Sequence, residues 1–135
     1  MTERIITTGM SSITKKEVGA NDTDSSFSSP LDFLLSTTAI VAMLIEASVK
    51  MLDSTLDGDL ITVGKHLDLY HLKPTLVGEK IELILTVKKV EKDSISMDFL
   101  ICDSIGAICS GTYERVIVNK NQLIDIAYAR SEAKE

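Results

Sequence analysis

A chain of 135 residues, 44% hydrophobic and 25% charged, with only seven Gly and two Pro, has the composition of one globular domain spanning residues 1–135. That balance excludes collagen-like and disordered chains, and the longest apolar run, residues 39–45, is too short to span a bilayer. A formal charge of −6 and the absence of Trp exclude a cationic nucleic-acid surface and a base-stacking platform. Two cysteines, Cys102 and Cys109, form neither a disulfide framework nor a metal knuckle. With no basic-then-apolar leader, a reduced cytoplasmic setting without a bound metal is expected.

In chain order, residues 13–18 read as an edge strand. Residues 21–30 are polar, rich in turn formers and end in Pro30, so they predict a loop of the size of a lid or Ω-loop. Phe27 stands alone there, either as an anchor on the core or as a lid over a pocket. From residue 31 to 52 no Gly occurs and Pro30 lies just before, which predicts a helix of some twenty residues, roughly 30 Å long. Its centre is apolar on nearly all sides and should be buried. Thr38, Ala42, Glu46 and Lys50 form a narrow polar stripe at i, i+4 spacing.

The rest alternates with period two. Strands are predicted over 61–69, 80–91, 94–102 and 107–118, with turns at Lys92-Asp93 and at 103–106. Ile81, Leu83, Leu85 and Val87 share one face of the second of these, and Ile95, Met97, Phe99 and Ile101 one face of the third. A short helix over 122–133 closes the chain. Short gaps between long alternating strands predict antiparallel hairpins. One long apolar helix with about five such strands is an α+β domain in which the sheet must curl around the helix, the hot-dog fold. An open sheet edge and an uncovered helix flank predict a homodimer, or a tetramer built from it.

Several motifs then stand in order: Leu35-Ser36-Thr37 ahead of the apolar helix, Thr62-Val63-Gly64, His71-Leu72-Lys73-Pro74, and Gly111-Thr112-Tyr113-Glu114-Arg115. Over about residues 31–120 the chain resembles the thioesterase branch of hot-dog proteins, and within it the fluoroacetyl-CoA thioesterase-like group. The resemblance implies hydrolysis of an acyl-CoA thioester to acid and CoA, with no cofactor. It implies a catalytic Thr at Thr37 and His at His71, and substrate contacts from Gly64 and Arg115. The helix Glu of that group falls on Ile45, with Glu46 beside it, and one residue rotates a helical side chain by about 100°. Glu46 is therefore the candidate carboxylate, set against a plain i, i+4 pair with Lys50. Tyr113 is a second departure, where relatives often carry His.

Ile45 also motivates an alternative, a non-catalytic protein that binds acyl-CoA or a small apolar ligand. Thr37 and Glu46 are nine residues apart, roughly 13 Å along a regular helix. Both touch one carbonyl only if Thr37 precedes the regular helix or if two subunits build the site. Arg115 and Lys73 are the candidate partners for CoA phosphates, Arg as a planar fork and Lys as a point charge.

Overall fold

A computed structural model describes residues 6–24 and 29–133. Five strands form one antiparallel sheet: β1 (Ser11–Glu17), β2 (Leu60–His71), β3 (Lys80–Glu91), β4 (Ser94–Cys102) and β5 (Ala107–Asn119), in the order β1-β3-β4-β5-β2. Two helices accompany them, α1 (Thr37–Leu52) and α2 (Lys120–Glu132). β3, β4 and β5 follow one another as hairpins, while β1 and β2 lie at the two edges. Phe27 lies outside the described residues.

The alternation seen in the sequence sets the inner face. Leu83, Leu85, Ile95, Met97 and Ile101 are fully buried, and Ile40, Leu44 and Leu52 of α1 are buried with them in the same core. Register shifts at Lys65 in β2 and at Lys88 in β3 each insert one residue. Such bulges bend a strand and sharpen its twist, which lets the sheet curl around α1. Gly111 permits the closest approach within the sheet. A Cβ there would stand 1.9 Å from the Asp68 carbonyl oxygen, so any side chain would push β2 off β5.

Two expectations about α1 need correction. The helix begins at Thr37 rather than at residue 31, because the backbone before it is engaged elsewhere. The Leu35 N–H donates to the Thr75 carbonyl at 2.8 Å, the Ser36 N–H to the Asp22 carbonyl at 2.8 Å, and Leu34 bridges to Leu76. Ser36 then caps the helix, its side chain accepting from the Ala39 N–H at 3.0 Å. Nor is the helix buried nearly all round. Thr38, Ala42, Glu46 and Lys50 lie exposed, as the i, i+4 stripe requires, but Ile45 (40% exposed) and Val49 widen that open face. β2 is also longer than expected and carries His71 as its last residue.

Candidate functional site

Ser36 fixes where the helix starts, and Thr37, the first helical residue, faces solvent. β2 ends beside it. Thr37 Oγ1 lies 3.0 Å from His71 Nδ1, so residues 34 positions apart meet through one strand end and one helix start. The other ring nitrogen, His71 Nε2, is buried without a hydrogen-bond partner. The pair lines a cavity of about 340 Å³. Its walls are apolar, from Leu31, Leu34, Leu72 and Pro74, and its charged groups are Lys73 and Asp24. This is the combination expected of a small-molecule site: apolar walls and a few convergent polar groups.

The remaining predicted residues lie elsewhere. Glu46 lines a separate groove between α1 and β1, with Thr14, Lys16, Ala42 and Lys50 among its neighbours. Ile45 is eight residues beyond Thr37, roughly 12 Å along the helix, and does not line the Thr37–His71 cavity. Gly64 and Arg115 pair with each other across β2 and β5. They sit seven residues from His71 along β2, roughly 23 Å away at the rise of an extended strand.

Arg115 is not a solvated cation. It is 4% exposed, and its guanidinium is tied on three nitrogens. Nε donates to Thr62 Oγ1 at 2.8 Å, Nη2 to the Thr62 carbonyl at 2.7 Å, and Nη1 to the Tyr113 hydroxyl at 2.7 Å. Thr62 Oγ1 in turn donates to Asp53 Oδ1 at 2.5 Å, and the Thr62 N–H to Asp53 Oδ2 at 3.2 Å. A buried cation therefore reaches a carboxylate at the C-terminal end of α1 through one hydroxyl. Gly64 belongs to the same arrangement, since a Cβ there would stand 2.8 Å from the Tyr113 hydroxyl. Tyr113 thus serves a network that the spacing of single residues does not reveal.

Asp24 is the cavity residue that the sequence did not single out. It lies in a polar stretch whose composition signals only a turn, and no periodicity distinguishes one acid there from another. Of the two cysteines, Cys109 is buried, and burial pushes its thiol up to about 11. Cys102 is half-buried. Among the described residues no three His, Cys, Asp or Glu side chains converge as a metal site, and no helix is long and apolar enough to cross a membrane.

Residues 18–121 match the family described as fluoroacetyl-CoA-specific thioesterase. Among solved structures, a hot-dog-like protein from Thermanaerovibrio acidaminovorans superposes with a TM-score of 0.86 at 26% identity, covering 91% of each chain. A Thermus thermophilus protein described as a thioesterase superfamily member gives 0.83 at 21% identity, over 98% of this chain and 100% of that one. A variant of the fluoroacetyl-CoA thioesterase in complex with acetyl-CoA gives 0.83 at 18% identity, over 96% of this chain and 100% of that one. Among curated proteins none matches the sequence significantly.

Proposed function

The chain belongs to the fluoroacetyl-CoA-specific thioesterase family, with hydrolysis of an acyl-CoA thioester as its reaction, and we propose that this reaction runs at the Thr37–His71 cavity. The observation that carries the placement is the 3.0 Å contact between the Thr37 hydroxyl and His71 Nδ1 on the cavity wall. Acetyl-CoA bound to the structural neighbour supports a CoA ester as the ligand class.

The contact supports a donor role for the pair. His71 Nδ1 is engaged by Thr37 and Nε2 is buried, so the atom offered to the cavity is Thr37 Oγ1. With the proton on Nδ1, His71 donates to Thr37, which leaves no N–H stranded in the interior, and Thr37 donates onward to the thioester carbonyl oxygen. Water attacks the carbonyl carbon and the C=O π pair moves onto oxygen. The two-donor chain then holds an oxyanion rather than a neutral carbonyl, which is where such donors act most strongly. Collapse breaks the C–S bond and CoA leaves as its thiolate, a leaving group that needs little acid help. The free acid is the other product, and the water proton goes to a base. Water is the only co-reactant, and no cofactor is needed.

Lys73, at the cavity, suits a phosphate of the CoA tail. Arg115, buried and bonded on each of its three nitrogens, supports the frame rather than the tail. Glu46 takes no part in this step within one chain, because it opens onto another groove. The uncovered edges of β1 and β2, with Ile45 and Val49 on the open face of α1, support a homodimer, and two free cysteines fit a reduced cytoplasmic setting. Ile45 does not favour a mute binding protein, since the donor pair forms without it. The test is the purified protein against short and medium acyl-CoA esters with a thiol reporter. Release of free CoA from at least one ester is expected, and silence on all of them overturns the reading.

A further inference from the structure

The donor role of His71 leaves one requirement unmet. A water that attacks a thioester must lose a proton, and neither nitrogen of His71 is open to the cavity to take it. We propose that Asp24 is that base, a catalytic carboxylate supplied by the segment before α1. This rests on the reading of the cavity as the hydrolytic site.

Three observations carry it. Among the described residues lining the Thr37–His71 cavity, Asp24 is the one carboxylate, and the other charged group there is Lys73. The acids on or beside α1 are directed elsewhere: Glu46 opens onto the groove shared with β1, and Asp53 binds Thr62. Lastly, Asp24 is held in place from the chain on its N-terminal side. Lys16 Nζ lies 2.9 Å from Asp22 Oδ1, the Gly19 N–H donates to Asp22 Oδ2 at 2.8 Å, and the Asp22 carbonyl accepts the Ser36 N–H at 2.8 Å. Thr23 bridges to Leu35 in antiparallel register. Antiparallel register therefore sets residue 24 opposite Leu34, on the segment that leads into the helix cap, and it shares the cavity wall with Thr37.

Asp24 is half-buried on the wall of the cavity that Thr37 and His71 also line. The step balances: the water oxygen bonds the carbonyl carbon, its proton passes to the Asp24 carboxylate, and the C–S bond breaks to thiolate.

The test compares wild type, Asp24→Asn and Asp24→Glu on whichever acyl-CoA ester the wild type turns over. Asn keeps size and polarity but cannot take a proton at neutral pH. A fall in kcat of about 100-fold or more is expected for Asp24→Asn, with KM little changed and partial recovery in Asp24→Glu. Circular dichroism of each variant shows whether the fold is kept, and Asp24→Ser serves as a second neutral variant. A kcat for the neutral variants within twofold of wild type overturns the role of Asp24 and leaves the hydrolase reading intact. A wild type that hydrolyses no ester overturns that reading, and Asp24 falls with it.

Discussion

Thr37 and His71 meet because a cap and a strand end are each set by a single local feature. Ser36 places Thr37 on the first helical residue, and the engagement of the Leu72 and Lys73 N–H groups by the Ile108 carbonyl ends β2 just after His71. Both residues were legible as site candidates from motif order. The proposed base, Asp24, was not, because it lies in a polar stretch without periodicity, while the helix acid that the sequence offered, Glu46, lines the neighbouring groove. Arg115 was legible as a motif member but not as a buried one. Its burial follows from the register of β5, in which Tyr113, Arg115 and Ile117 share the face toward α1. At this scale the thiols give a direct test. Iodoacetamide at pH 8 should alkylate Cys102 in the native protein and leave Cys109 unmodified, since burial holds Cys109 as the thiol; both should react in denaturant. Equal labelling of the two in the native state would show that β5 is not packed as described.

The strands were read nearly to their ends because one face is buried and the other is not, which is the condition for clean alternation. Their bulges were not legible, since the inserted Lys65 and Lys88 look like any surface residue. The start of α1 was misplaced for a related reason: Leu31, Phe33, Leu34 and Leu35 continue the apolar pattern, yet Leu34 and Leu35 pair with the loop after β2. Apolar content shows that a segment packs, not which backbone partners it takes. The cap therefore decides the element. Ser36→Ala, at a residue 2% exposed, should cost about 0.5–2 kcal/mol in denaturant unfolding and lower turnover through fraying of the turn that carries Thr37. An unchanged midpoint would show that the helix start does not depend on this cap.

At the scale of the molecule, a curled five-stranded sheet around one helix leaves two open edges and an apolar strip on α1, and it sets Gly64 and Arg115 far from His71. A second copy is the economical way to cover such edges. Light scattering coupled to gel filtration should give a multiple of the 14.7 kDa chain mass, with twice that mass the smallest species; a monomer at micromolar concentration would contradict this. The net charge of −6 opposes any polyanion, so CoA phosphates would have to be met locally, the role proposed for Lys73 at the cavity.

The central claim is that Thr37, backed by His71 as a donor, stabilises the developing oxyanion. The measurement that tests it most directly is kcat on an accepted acyl-CoA ester for wild type, His71→Ala and His71→Asn, since an Asn amide N–H stands close to where Nδ1–H stood. A loss of about 100-fold or more is expected for His71→Ala, with substantial recovery in His71→Asn. Unimpaired turnover by His71→Ala, or an Asn variant as inactive as the Ala variant, would contradict it.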